Sequence, residues 1–262
     1  MPNFYSQHGE DSLLWQLFGE ASAPGQGYFV EVGALDGRVL SNTLCFEEAG
    51  WKGVCIEPHG DYFERLVPNR PGSLCLRAAV SDRDQEETEF YANRRGALST
   101  LERESEAHFR AHYAPWFAGF EVQRVRRARL DTLLAEIGAP ARFEFLSIDV
   151  EGHELPVLQG LDLRRYSPRV IVVEELTPDH GRRQTEYLAA HNYREARQLG
   201  CNRFYCRYTS DLVLLRSATP SPNLIRLPHP LDLPTPPVDA PGAPAPAGTA
   251  PASAALGNQP TG

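Results

Sequence analysis

The chain has 262 residues, 42% of them hydrophobic and 23% charged, enough to bury a full core in one globular domain with something extra. Its 26 basic and 34 acidic residues leave a formal net charge of −8, which argues against non-specific binding to nucleic acid or an anionic membrane and suits a neutral or cationic ligand. Five cysteines without a CxxC pair indicate neither a zinc knuckle nor a disulfide framework, and a single lysine, Lys52, speaks against Schiff-base chemistry and a Walker-A loop.

The opening MPNFYSQHGEDSLL carries no basic stretch followed by an apolar run, and no 18 consecutive apolar residues occur anywhere. A cytoplasmic protein without an integral membrane segment is therefore expected. Apolar positions Leu13, Leu14, Leu17 and Phe18 predict an amphipathic helix over Asp11 to Phe18. Short apolar runs then read as buried strands: Tyr28 to Val32, Val54 to Ile56, Leu74 to Val80, Phe143 to Ile148 and Val170 to Val173. Between them Ser41 to Gly50, Asp61 to Val67, Leu130 to Ile137, Glu154 to Gly160 and Gly181 to His191 read as helices, the first capped by Ser41 or Asn42 and ended by Gly50.

Such alternation predicts a Rossmann-like α/β fold, a mostly parallel central sheet with helices on both faces and ligands at the carboxyl ends of its strands. Tyr193 to Leu199, Arg203 to Arg207 and Leu212 to Arg216 look like further strands. The stretch of about 93–129 breaks the rhythm with His108, His112, Tyr113, Trp116, Phe117 and Phe120, then the basic run Arg124, Arg126, Arg127, Arg129. It reads either as an active-site cover or as a helix with a solvated basic edge. Twelve of the 22 prolines fall between Pro220 and Pro260, so 218–262 is expected to be a disordered Pro/Ala-rich tail on a 1–217 domain.

Five constellations carry chemistry. Glu31-Val32-Gly33-Ala34-Leu35-Asp36-Gly37 follows a strand, and its glycines let the backbone turn and approach a ligand, though two glycines fall short of a dinucleotide fingerprint. Glu57, before Pro58 at the tip of the next strand, is placed to accept both hydroxyls of a ribose. Ser81-Asp82 closes the third strand, where it suits an adenine edge. Asp149, Glu151, His153 and Glu154 crowd the end of a buried strand, a costly arrangement unless it serves a ligand, a proton or a metal. Glu174-Glu175 lies on the same edge and, with Asp149, suggests a divalent ion such as Mg²⁺.

In order along the chain, Tyr5-Ser6-Gln7-His8-Gly9-Glu10-Asp11, Glu31 to Gly37, Ser41-Asn42-Thr43, Gly50-Trp51-Lys52-Gly53, Ile56-Glu57-Pro58, Asn69-Arg70, Ala79 to Asp82, Leu98-Ser99, Leu130-Asp131 and Ser147 to Leu158 resemble the FkbM-type S-adenosylmethionine-dependent methyltransferase family. The resemblance implies a class I methyltransferase fold in which the glycine loop, with Glu31, Gly33, Ala34, Asp36 and Gly37, holds the methionine part of the cofactor. Glu57 would hold the ribose and Ser81 and Asp82 the adenine, with Asn42, Pro58 and Asp149 as further cofactor-binding residues. It further implies O-methylation of a hydroxyl on a sugar or other small hydroxylated metabolite, the acceptor being a small molecule, glycan or glycolipid rather than nucleic acid. Asp149, His153 and Glu151 are the candidates for the proton chemistry, His153 because its unperturbed pKa lies near neutrality. Glu10 and Asp11 are candidates to cover the cofactor. The other reading is a non-catalytic interaction module that keeps the fold.

Overall fold

The computed structural model describes residues 2–19 and 27–228. In chain order its elements are α1 (Glu10–Phe18), β1 (Tyr28–Val32), α2 (Leu44–Glu48), β2 (Lys52–Ile56), α3 (Gly60–Asn69), β3 (Leu74–Leu76), β4 (Ala79–Ser81), β5 (Gln85–Asn93) and β6 (Gly96–Thr100). They continue with α4 (Ser105–His112), β7 (Phe120–Arg129), α5 (Leu130–Glu136), β8 (Arg142–Ile148), α6 (Glu154–Gln159), β9 (Ser167–Glu174), α7 (Pro178–Ala190), β10 (Arg194–Leu199), β11 (Asn202–Cys206) and α8 (Thr209–Ser217).

Seven strands form the main sheet in the order β10-β11-β9-β8-β1-β2-β3, with β11 the antiparallel member. Alternation along β1 explains its two covered faces. Val30 and Val32 pack on one side with Leu130, Leu133 and Leu134 of α5, Val157 and Leu158 of α6 and Leu188 of α7. Phe29 packs on the other with α1, Leu44 to Phe46 of α2, Leu66 of α3, and Leu212 and Leu215 of α8. This is the Rossmann-like arrangement expected from the alternating pattern. The chain leaves β1 for β2 and β3 on one side and returns to β8 on the other, so the carboxyl ends of β1 and β8 flank a topological switch point, where open α/β sheets bind ligands.

Four segments differ from expectation. The run Leu74 to Val80 divides: β3 pairs with β2 at the sheet edge, while β4 pairs with β7 in a second, four-stranded sheet of order β4-β7-β5-β6. The stretch 93–129 is neither a plain helix nor a simple insertion. It supplies β6, α4 and β7, and the basic run lies on β7, with Arg124 paired to Glu89 and Arg126 to Glu136 on exposed surfaces. Leu212 to Arg216 is helical, because its apolar residues serve a three-residue spacing that buries Leu212 and Leu215 while leaving Val213 and Leu214 exposed. At α2 the residue before the helix is Thr43, yet Ser41 Oγ accepts from the amides of Thr43 and Leu44 at 3.2 and 3.1 Å.

Beyond α8 the chain stays attached past the expected boundary. Ile225 N–H donates to the Phe4 carbonyl at 2.7 Å, Ser221 N–H to Ser12 Oγ at 2.9 Å, and Leu224 and Leu227 pack on the core below α1. The remainder of the expected tail, 229–262, lies outside the described residues. No helix among the described residues is long and apolar enough to cross a membrane.

Candidate active site

A cavity opens at the switch point, lined by Gly33, Ala34, Asn42, Glu57, Pro58 and the Asp149–Glu151 loop. Gly33 sits at φ +86°, and a Cβ there would lie 1.7 Å from the Asp149 carbonyl oxygen. Glycine is therefore required for the loops after β1 and β8 to meet, and its bare backbone faces the cavity. The amides of Gly33 and Ala34 donate to the Ile56 carbonyl at 2.9 and 3.1 Å, and that of Asp149 donates to Val32 at 2.9 Å, which ties the three strand ends together.

Glu57 is buried at the tip of β2. Its Oε2 accepts from the Leu35 amide and its Oε1 from the His59 amide, each at 2.8 Å. Burial, with Asp149 and Glu31 nearby, pushes its pKa up to about 8 against the pull of those two amides. Once ionised, each oxygen retains a lone pair for a hydroxyl donor, so a bound diol would favour loss of the Glu57 proton.

Glu31 also borders the cavity, but its carboxylate is engaged below the floor. Oε2 accepts from Thr43 Oγ1 at 2.7 Å and pairs with Arg70 at 3.1 Å, while Oε1 accepts from Ser41 Oγ and the Asn42 amide at 3.2 and 3.3 Å. Asn42 Nδ2 donates to Ser147 Oγ at 2.9 Å, which aims the amide across the sheet. Asp36 and Gly37 are not on the cavity wall. Asp36 Oδ1 closes its own turn by accepting from the amides of Arg38 and Val39, and Gly37 makes room for Arg70, whose Cγ would lie 2.5 Å from an added Cβ.

At the end of β8, carboxylate oxygens of Asp149, Glu151 and Glu174 all lie within 4.8 Å of one another. The third member is Glu151 rather than Glu175, whose carboxylate is drawn away into an ion pair with Arg203. Desolvation among the surrounding strand ends raises Asp149 to about 6, opposed by a hydrogen bond with Glu174, while the side chain keeps solvent access. Glu151 and Glu174 are pushed well up by the same desolvation and by their mutual repulsion, and Glu154 to about 7. Protons are therefore shared within the cluster near neutral pH.

His153 is turned away from this cavity. Its Nδ1 contacts the Glu102 carboxylate and its Nε2 contacts Ser81 Oγ at 2.8 Å, so both ring nitrogens are engaged. Ser81 and Asp82 belong to the same group: Arg127 bonds both, and neither residue lines the cavity. Its wall on that side is made by His59, Tyr62, Phe90 and Leu98 instead. His59 stands two residues past Glu57, but Phe90 and Leu98 arrive through the second sheet, for which local sequence carries no signal. Leu98 N–H donates to Glu151 Oε1 at 3.2 Å, fastening β6 over the acidic loop. Glu10 and Asp11 serve the N-terminal turn: Asp11 accepts from the Tyr5 and Ser6 amides, and Glu10 from the His8 amide and Asn202.

Glu57 and Glu154, both buried, each hold a proton more tightly in the folded chain than the unfolded value of about 4 allows, so the stability they contribute is complete below that pH and is lost as pH rises through about 7 to 8. The melting temperature of the ligand-free protein is expected to fall by at least about 3 °C between pH 6 and pH 8.5 in calorimetric scans. A flat or rising profile across that window contradicts this account.

A family model described as the methyltransferase FkbM domain matches residues 31–200. No curated protein matches the sequence. Among solved structures, the METTL16 MTase domain is similar at a TM-score of 0.44 with 11% identity, covering 76% of this chain and 66% of that one. A TehB-like SAM-dependent methyltransferase from Corynebacterium glutamicum is similar at 0.38 with 10% identity, covering 77% and 88%. Aeropyrum pernix fibrillarin, with natively bound S-adenosyl-L-methionine, is similar at 0.36 with 9% identity, covering 75% and 76%. The match from Glu31 to Gly200 spans the switch-point loops, the acidic cluster and most of both sheets, and with it the chain belongs to the FkbM methyltransferase domain family.

Proposed function

We propose that the switch-point cavity binds S-adenosylmethionine and that the protein methylates a hydroxyl oxygen of a small hydroxylated metabolite or sugar. The observation that carries this reading is the meeting of a bare glycine backbone, a hydroxyl-accepting carboxylate and a proton-sharing acidic cluster around one cavity. Gly33 and Ala34 would lie along the methionine part with Asn42 beside them, Glu57 would accept from the ribose hydroxyls, and Tyr62 and Phe90 offer ring faces to the base. Bound there, the cofactor supplies an electrophilic methyl group on a sulfonium.

An alcohol is a poor nucleophile until its proton leaves, so the enzyme must align the oxygen and take that proton. Asp149 is the group for the second task, since it stands in the cavity wall and belongs to the proton-sharing acidic cluster, with its own pKa raised to about 6. With the cofactor bound, Asp149 would accept the proton that the acceptor hydroxyl gives up as its oxygen takes the methyl group, the electron pair of the cleaved bond remaining on the cofactor's sulfur. The acidic surroundings and the net charge of −8 speak for an uncharged small acceptor over a nucleic acid.

Calorimetric titration with S-adenosylhomocysteine tests the cofactor reading. Micromolar binding is expected, weakened at least about tenfold in Glu57→Ala, the loss of one charge-assisted hydrogen-bond pair. No binding by the folded wild type would refute it and favour the non-catalytic module.

A further inference from the structure

We propose that a second cavity, across the Asp149–Glu154 loop from the first, is the acceptor site and takes an uncharged polyhydroxylated ligand; the word acceptor rests on the cofactor reading above. This cavity, of about 400 Å³, lies beyond the carboxyl ends of β8 and β9, between α4, the start of α6 and the first turns of α7. Glu151 lines the first cavity and Gly152 the second, so one peptide separates them. Of the acidic residues at this strand end, Glu154 lies on the wall of the second cavity and Asp149 and Glu151 on that of the first.

The chemistry of its wall is unusual. Among the described residues nine buried side-chain nitrogen or oxygen atoms have no hydrogen-bond partner, and four of them, His108 Nε2, Glu154 Oε2, His180 Nδ1 and Gln184 Oε1, belong to side chains of this wall. Each such atom costs about 1–3 kcal/mol when left unpaired. Four on the side chains of one cavity wall are therefore poorly explained as structure alone.

These atoms also specify the ligand. Gln184 Oε1 accepts only, the imidazoles donate or accept according to tautomer, and Glu154, with a pKa of about 7, does either near neutrality. Burial lowers His108, with His112 and His180 adding to the effect, which keeps that ring neutral. A hydroxyl, both donor and acceptor, satisfies every member of this set. Arg183 is the one arginine on a wall that also carries Glu102, Glu104 and Glu154, so a phosphate or polyanion finds no cationic clamp.

Saturation-transfer NMR on the full chain, with and without S-adenosylhomocysteine, tests the assignment using methyl α-D-glucopyranoside, methyl α-D-galactopyranoside and methyl α-L-rhamnopyranoside, with adenosine monophosphate as the anionic probe. At least one glycoside is expected to bind, and its dissociation constant to rise at least tenfold in His180→Ala and in Gln184→Leu, with S-adenosylhomocysteine affinity unchanged within twofold. His108→Ala, at a half-buried position on α4, should show the same loss and serves where a buried variant fails to fold. Unchanged glycoside binding in the folded variants, no glycoside binding by wild type, or preference for the nucleotide would each overturn the proposal. Glycoside binding without S-adenosylhomocysteine binding would overturn the cofactor reading and leave this cavity a glycoside site; the reverse pattern removes the acceptor assignment alone.

Discussion

Replacing Arg70 with Ala is expected to destabilise the folded domain by about 3–5 kcal/mol, because it leaves buried carboxylates without their cation. The guanidinium is fully enclosed. Its Nε pairs with Glu47 at 2.7 Å, one terminal nitrogen pairs with Glu31 at 3.1 Å, and the other donates to Thr43 Oγ1 at 2.8 Å. It also lies 5.4 Å from the centre of the Phe29 ring. Through these contacts a single side chain at the end of α3 joins the end of β1, the start of α2 and the glycine turn. Lysine offers one point charge in place of a planar fork and should recover less than half of the loss. Urea unfolding followed by circular dichroism measures the difference; a loss below about 1 kcal/mol would show that the surrounding hydrogen bonds, and not the ion pairs, hold this corner.

Turnover of Asp149→Asn is expected to fall by about 10²–10⁴-fold while S-adenosylhomocysteine affinity changes only a few-fold, since Asn keeps the shape and removes the proton acceptor. In the wild type the base must be ionised, so kcat rises with pH through about 6 to a plateau, and this limb disappears in the variant. His153→Ala should keep the limb, because both nitrogens of that ring are occupied by Glu102 and Ser81 outside the cavity. Turnover insensitive to EDTA is expected if the acidic cluster handles protons. Inhibition reversed by Mg²⁺ would instead assign Asp149, Glu151 and Glu174 to a metal. Retention of more than a tenth of wild-type turnover in Asp149→Asn would remove Asp149 from the proton step.

Several features of the site were legible in the sequence because their causes are local. A glycine directly after an apolar strand, an acid closing the next strand and an acidic strand end before a helix place Gly33, Glu57 and Asp149 by chain direction alone, and all three line one cavity. His153 shows the limit of such reasoning. Its position four residues past Asp149 marks it as near the chemistry, but which way the ring faces depends on Glu102 and Ser81, distant in sequence and delivered by other elements. Glu175 is similar: adjacent to Glu174, it is taken by Arg203 of the antiparallel strand β11.

The sequence by itself determined the alternation of strands and helices, the two-faced burial of β1 and the order of motifs along the chain, since periodicity and strand-to-helix turns act over a few residues. Only the tertiary structure decided that 74–81 divides between two sheets, that 93–129 adds β6 and β7 to the second sheet and roofs the cavity with Leu98, and that 212–216 is helical. These outcomes depend on which distant surface each segment buries against. A short apolar run satisfies strand and helix alike until its partner is in place.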